Sequence, residues 1–421
     1  MRIDESGEVI WKVNGNVGIS FKISDQPILI KASKTMIEGD IASEIGTISD
    51  EQFEIALRKW CQNNPNKRNE LEKHLNAMEE FIPFSKSASP KHLLLKVSEN
   101  KKLLPDHHLI TFQIPKGKNF ELQPGQFFHV ICDPDGKQTL TDDGDERGYA
   151  LTLRRPFSIH RIHYGGFNRR LLNTPTIIPY EIKEVIERPI TQIDILYKVV
   201  GEGTRNLSKV TPGTFLNVIG PIGKGFNIYD IYNVGAAVIV AGGIGVAPLV
   251  ALAERLRYLG IKVFPYFGAL RKELLWPILS RADSTVDFSF ANGTQEFFDL
   301  INNEFREIGA EGVKVSTDDG SLGDKGLVTE TLEKDIESGY LPMDSIRIYA
   351  CGPTKMMKAI SQLSNKYKIP CQVLLEQRMA CGIGACFSCT CQIRGDNGKA
   401  EKKRVCVDGP VFDEKYIIWQ R

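Results

Sequence analysis

The chain has almost no excess of either charge. Its 53 lysines and arginines stand against 52 aspartates and glutamates, for a formal net charge of +1. That balance creates no overall field for nucleic acid or for an anionic membrane surface, so neither is expected as a partner. Long hydrophobic runs are missing too: no window approaches the ~18 uninterrupted apolar residues that a helical membrane span needs. Met1 to Glu8 have neither the basic start nor the apolar stretch of a secretory signal, from which a cytoplasmic protein is expected. There is no internal repeat, low-complexity tract or heptad array. Cysteine is sparse until Cys381 and crowded after it: of nine in all, Cys381, Cys386, Cys389, Cys391 and Cys406 lie near the C-terminus. An odd number clustered at one end reads as metal binding or redox chemistry in a reducing compartment, not as a disulfide framework.

At roughly 100–200 residues per domain, 421 residues imply several domains. Residues 1–88 read as an extension, a small α+β or docking module. Strands are expected at Val9–Val13 and Ile28–Ile30, followed by a helix from Ser49 and a second helix bearing Leu71, Leu75 and Met78. Residues 89–230 carry short β-type runs at His92–Val97, Leu109–Ile114, Phe127–Ile131, Ile193–Val200 and Phe215–Ile219. Strands without intervening helices favour an antiparallel barrel, here interrupted by two long polar loops around 133–148 and 163–179. Over 231–375 strand and helix alternate. Ala236–Ala241 is an apolar strand, and Pro248 opens a helix whose Leu249, Leu252, Ala253 and Leu256 share a face. Further strands are expected within 261–267, 286–290, 313–316 and 346–350, and a helix bears Phe297, Phe298, Ile301, Phe305 and Ile308. This alternation implies a doubly wound parallel sheet. Residues 376–421 hold the cysteine cluster as a C-terminal lobe.

Three motifs carry chemistry. Cys381, Cys386 and Cys389, followed by Cys406, reproduce the C-x4-C-x2-C…C pattern of plant-type 2Fe-2S sites, and Gly382 and Gly384 relieve crowding in a loop that must wrap a cluster. Cys391 fits that spacing least well and is set aside; a zinc site would use paired C-x2-C knuckles instead. Gly242, Gly243 and Gly245 lie between a buried strand and the Pro248 helix, where a pyrophosphate can meet free helical N–H groups. A later strand ends in Cys351-Gly352-Pro353 at what should be the same crevice. A glycine-rich turn of this kind can also be purely structural. Arg155-Pro156-Phe157-Ser158 offers a guanidinium for a diphosphate with an aromatic ring and a hydroxyl for a flavin, although such a run can equally open an ordinary strand.

The order of Arg155-x-Phe157-Ser158, Tyr197 to Gly203-Thr204, Gly220-Pro-Ile-Gly223, Gly242-Gly-Ile-Gly245 and Cys351-Gly-Pro353 resembles the ferredoxin-NADP reductase superfamily. With Ser316-Thr-Asp-Asp-Gly-Ser321, Glu376 to Cys386 and Cys406 to Phe412, the likeness narrows to the electron-transfer subunit of class 1B dihydroorotate dehydrogenase, over roughly residues 91–421. The resemblance implies an FAD-binding barrel, an NAD-binding domain and a 2Fe-2S lobe. Arg155, Phe157 and Ser158 would hold FAD, Gly203 and Thr204 its pyrophosphate, and Cys381, Cys386, Cys389 and Cys406 the cluster. It also implies a hetero-oligomer with an FMN-containing catalytic subunit that oxidises dihydroorotate to orotate in pyrimidine biosynthesis. A flavin fits between nicotinamide and cluster because the first exchanges electron pairs and the second single electrons.

The N-terminal extension and the two long loops have no recognised counterpart in that subunit, which leaves other partners open: the NADH-dependent ferredoxin:NADP oxidoreductase or sulfhydrogenase type. A self-sufficient reductase and a non-catalytic redox sensor are the rival readings. Arg271, Lys272 and Glu273 leave NAD(H) and NADP both open, the family likeness favouring NAD(H). No catalytic acid, base or nucleophile is assigned.

Overall fold

The computed structural model describes residues 91–104, 106–115, 122–132, 154–165, 189–228, 235–275, 305, 308–395 and 397–419, together with three strands near the N-terminus. The strand expected at 28–30, both helices expected before residue 80, the 133–148 loop, most of the 163–179 loop, the strand at 286–290 and the start of the helix at Phe297 lie outside the described residues. Of that last helix, Phe305 and Ile308 are described, and both are buried. The chain divides into two compact units: Met1–Lys86 with Ile178–Glu187 and Tyr229–Asn233, and the remainder. In the first, β1 (Arg2–Ile3), β2 (Glu8–Val13) and β3 (Asn16–Lys22) form an antiparallel sheet, with β2 where Val9–Val13 was expected.

The second unit begins with seven antiparallel strands: β4 (Lys91–Leu104), β5 (His107–Gln113), β6 (Phe127–Val130), β7 (Arg155–Ser158), β8 (Arg161–Tyr164), β9 (Ile190–Lys198) and β10 (Phe215–Ile222). Their order is β7-β6-β10-β4-β5-β9-β8. Period-two patterning sets the faces. On β4, Leu93, Leu95 and Val97 are buried while His92, Leu94 and Lys96 are exposed, so one face meets a core with Ile110, Phe112, Phe128, Ile193, Ile195 and Val218. Register shifts between Val97 and Glu99 and between Lys102 and Leu104 bend this 14-residue strand, as a curling sheet requires.

The nucleotide-type sheet contains β11 (Ala236–Gly242), β12 (Lys262–Ala269), β13 (Lys314–Thr317), β14 (Asp324–Lys325), β15 (Ile346–Cys351), β16 (Cys371–Leu374) and, past the hairpin of β17 (Thr390–Arg394) and β18 (Ala400–Arg404), β19 (Val411–Asp413). The order β14-β13-β12-β11-β15-β16-β19 is parallel except for β19. Strand order reverses between β11 and β15, so a crevice opens past their carboxyl ends. Among the described residues these sheets are accompanied by α1 (Glu202–Lys209), α2 (Ala247–Tyr258), α3 (Val328–Glu337) and α4 (Thr354–Tyr367). No described helix is long and apolar enough to cross a membrane.

Helix α2 differs from the one-faced amphipathic helix its spacing suggests. Ala247, Pro248, Val250 and Ala251 are buried along with Leu249, Leu252, Ala253 and Leu256, because the sheet covers one side and β8 and β9 of the barrel the other. The seam is polar where it must be specific. His160 Nδ1 meets the Ala247 carbonyl at 3.0 Å, and Arg161 pairs with Glu254 at 2.7 Å, the arginine only 2% exposed. The cysteine-rich segment is tied to the same body. Its β19 extends the nucleotide sheet, and Glu414 just beyond is buried, accepting from Ser361 Oγ at 2.5 Å and Ser364 Oγ at 2.8 Å on α4.

Candidate functional site

The loop from Cys381 to Cys389 contains no helix or strand, and its turns are left-handed at Gly382 (φ +69°), Gly384 (φ +83°) and Phe387 (φ +55°). A Cβ at Gly382 would meet the ring of His129 on β6, with Cε1 at 2.9 Å and Cγ at 3.0 Å, so both backbone and space demand glycine. Arg404 locks the loop to the second cysteine segment. Its Nη1 donates to the Gly384 carbonyl at 3.1 Å, its Nε donates to Asp408 at 3.1 Å, and its guanidinium lies 5.1 Å from the centre of the Phe387 ring. Val405 N donates to the Cys389 carbonyl at 2.8 Å, which carries Cys406 alongside Cys389.

The four thiols fall into two pairs. Cys381 and Cys386 form an outer pair, joined by Cys386 N donating to Cys381 Sγ at 3.4 Å; Cys389 and Cys406 form an inner pair, 2% and 0% exposed. Two pairs of thiols suit two irons. The environments differ in sign. Hydrogen bonding from Ser388, whose Oγ lies 3.1 Å from Cys386 Sγ, with further backbone help, lowers the Cys386 thiol to about 6. Burial, and then Cys389 beside it, pushes Cys406 up to about 12. Cys391 is on β17 opposite Lys403, half-buried and raised to about 11 by burial, outside both pairs.

The Arg155–Ser158 motif forms β7, paired with β6 so that Phe127 faces Ser158, Phe128 faces Phe157 and His129 faces Pro156. Phe157 is buried edge-on against Tyr197 at 5.7 Å. Tyr197 in turn donates its hydroxyl to Asn100 Oδ1 at 3.1 Å, and burial raises its pKa; it forms the wall behind Phe157. Gly203 and Thr204 open α1. Thr204 Oγ1 accepts from Val200 N at 2.9 Å and Gly201 N at 3.1 Å, holding the turn. A Cβ on Gly203 would lie 3.4 Å from Arg155 Nε, so the guanidinium lies over the start of the helix, and two motifs far apart in sequence meet at one corner. Arg154 is spent structurally, donating to the Asn217 carbonyl at 2.9 Å and to its Oδ1 at 2.6 Å.

The nucleotide motifs also converge. A Cβ on Gly245 would lie 2.8 Å from Gly352 Cα and closer still to the Cys351 carbonyl; one on Gly242 would lie 2.7 Å from both Pro353 Cδ and Met356 Sδ. Gly243 (φ +53°) faces open space, so it is glycine for its backbone angle alone. No side chain caps α2, whose first residue, Ala247, donates its N–H to the Ile244 carbonyl and whose second, Pro248, has none. At the outer rim Ser321 Oγ accepts from Lys272 N at 2.9 Å, which brings Arg271 and Lys272 beside the Asp318–Asp319 loop.

Two further residues had little signal in the sequence. Glu376 is crowded by protein although its side chain reaches solvent; desolvation raises its carboxyl, and its charge adds to the burial that raises the Cys351 thiol. His129 is fully enclosed, and burial, with help from Arg154, pushes it down to about 4. Its only trace in the sequence is a polar residue inside the apolar run 127–131.

A half-closed antiparallel barrel beside a parallel nucleotide sheet, with a thiol-rich loop seated on the barrel, defines a flavin- and nicotinamide-linked reductase of the ferredoxin-NADP reductase type. Comparison with known proteins agrees. Residues 376–418 match the iron-sulfur cluster binding domain of dihydroorotate dehydrogenase B, and residues 239–362 the oxidoreductase NAD-binding domain. The electron transfer subunit of dihydroorotate dehydrogenase B (NAD(+)) from Caldanaerobacter subterraneus subsp. tengcongensis is 38% identical over 77% of this chain and 97% of its own. That of Desulforamulus reducens is 32% identical over 75% of this chain and 94% of its own. A chain of the NADH-dependent reduced ferredoxin-NADP oxidoreductase shares the fold, at 24% identity and a TM-score of 0.50, over 78% of this chain and 90% of its own. The chain belongs to the family of dihydroorotate dehydrogenase B electron transfer subunits, NAD(P)H-linked oxidoreductases that use FAD, a 2Fe-2S cluster and NAD(H).

Proposed function

We propose that this chain exchanges electrons between NAD(H) and a catalytic partner subunit that carries FMN and oxidises dihydroorotate to orotate, in a cytoplasmic hetero-oligomer. The observation that carries the reading is one stack: the Cys381–Gly382 turn rests on β6, and β6 is hydrogen-bonded to β7 with its Arg155–Ser158 motif. The donor sets fit the family's cofactors. Arg155 with Gly203 and Thr204 would hold the FAD pyrophosphate, with Pro156, Phe157 and Ser158 along the ring and Tyr197 bracing Phe157. Gly242, Gly243 and Gly245, with Cys351, Gly352 and Pro353, would hold the nicotinamide dinucleotide. Cys381, Cys386, Cys389 and Cys406 would ligate the cluster, with Cys391 left out. These assignments divide the chain into an extension (1–88), a flavin barrel (89–230), a dinucleotide domain (231–375) and a cluster lobe (376–421).

Bound FAD supplies the change from paired to single electrons. The chain's own groups bind and orient. The Gly242–Gly245 turn would offer backbone N–H groups to phosphate, and the polar seam of His160, Arg161 and Glu254 holds the dinucleotide domain against the barrel. The test is to purify the native complex and assay flavin, iron, labile sulfide and dihydroorotate-dependent reduction of NAD(+). A flavin, two irons and two sulfides per chain, with a co-purifying FMN subunit, is the expected result. A holoprotein with both cofactors but a different catalytic subunit would refute the dihydroorotate assignment.

A further inference from the structure

His129 is unexplained by the reductase reading. It is the only histidine among the described residues that has 0% exposure, and neither ring nitrogen has a hydrogen-bond partner. Buried polar atoms are nearly always satisfied, and a Leu or Phe would fill the same space without leaving two nitrogens unpaired. The ring lies under the Cys381–Gly382 turn, on a strand paired with the Arg155–Ser158 motif. In register it sits opposite Pro156 of β7 on one side and Ile219 of β10 on the other. Above it is Gly382, whose missing Cβ makes room for the ring.

We propose that His129 is a positioning residue for the cluster: it donates one ring N–H to the Cys381 turn of the loaded site, fixing that turn against the strand pair that carries the flavin motif. The inference rests on the ligand assignment above. Two observations carry it: the unsatisfied nitrogens, and the absence of any side chain on Gly382 that could keep the ring from the turn. An N–H held beside the cluster in a low-dielectric interior puts a positive partial charge where an added electron would reside. Losing it disfavours reduction of the cluster without touching the dinucleotide crevice.

The experiment compares full-length holoprotein carrying His129, His129→Phe and His129→Gln. Iron and labile sulfide per flavin, the electron paramagnetic resonance spectrum of the reduced cluster, its midpoint potential and the rate of flavin reduction by NADH are measured for each. In His129→Phe the cluster is retained and NADH reduces the flavin normally. The one-electron equilibrium for cluster reduction falls about tenfold, equivalent to about 59 mV, and the spectrum shifts. His129→Gln, with a donor restored, recovers much of the loss. An unchanged potential and spectrum in His129→Phe overturns the proposal, because the ring then only fills space. If His129→Phe loses the cluster, retention in His129→Gln supports the polar contact, and loss in both overturns it. Absence of iron and sulfide from the unaltered holoprotein refutes the cluster assignment and the role of His129 with it; the other outcomes bear on His129 alone.

Discussion

Gly245→Ala is the sharpest test of the dinucleotide crevice. The new methyl would lie 2.8 Å from Gly352 Cα and nearer to the Cys351 carbonyl, all backbone atoms of a neighbouring parallel strand end that cannot rotate away. Carbon atoms pack at about 3.5–4.0 Å, so the ends of β11 and β15 must part by more than half an ångström. Overpacking of this kind costs about 1–3 kcal/mol. The strain divides between folding stability and dinucleotide binding. Where all of it falls on binding, the dissociation constant for NADH rises roughly 5–150-fold. Anaerobic stopped-flow reduction of the flavin against NADH concentration reads that constant directly, and thermal unfolding reads the remainder. Flavin and iron contents stay at the wild-type level, because Gly245 contacts neither the Arg155 corner nor the cysteine loop. Gly243→Asn is the control for folding alone: its side chain meets no protein atom and asparagine tolerates φ +53°, so thermal stability stays close to wild type. Wild-type NADH binding and wild-type stability in Gly245→Ala would refute the convergence of the two glycine motifs on one crevice.

Removing one partner of the Arg161–Glu254 pair leaves a buried charge, so Glu254→Ala should cost about 3–5 kcal/mol in urea unfolding, while the double change Arg161→Met with Glu254→Leu should be near neutral. In protein stripped of cluster, Cys386, lowered to about 6, is mostly thiolate at pH 7. Mass spectrometry should find it alkylated first, at a rate that falls as pH drops through about 6, and Cys406, buried and near 12, last. Cys391→Ser should keep iron and sulfide, whereas Cys386→Ser should lose them; loss in both would bring Cys391 into the ligand set. Gly382→Ala forces a methyl into His129 at φ +69° and should reduce cluster content more than flavin content, measured as iron per FAD.

Much of this molecule was legible as a string because the relevant constraints are local. The period-two burial of β4, the apolar β11, the glycines at the crevice and the C-x4-C-x2-C spacing each arise within a few residues of backbone. Covalent geometry and the strand or helix repeat decide such features whatever lies opposite. Other features belong to the tertiary structure alone. The second buried face of α2 exists because the barrel packs on it; the unbroken apolar run from Ala247 to Ala253 fits burial all round but does not say which element covers the second side. Arg155 and Gly203 meet across 48 positions of chain because β7 and the start of α1 are neighbours in space. The pairing of the thiols needed Arg404 and Asp408 to bring Cys406 back to Cys389. His129 read as one polar residue in an apolar strand until the cysteine loop closed over it. The sequence determined which elements form and which groups can carry electrons; packing between distant segments decided which of those groups face each other, since burial and contact depend on a partner that local sequence does not encode.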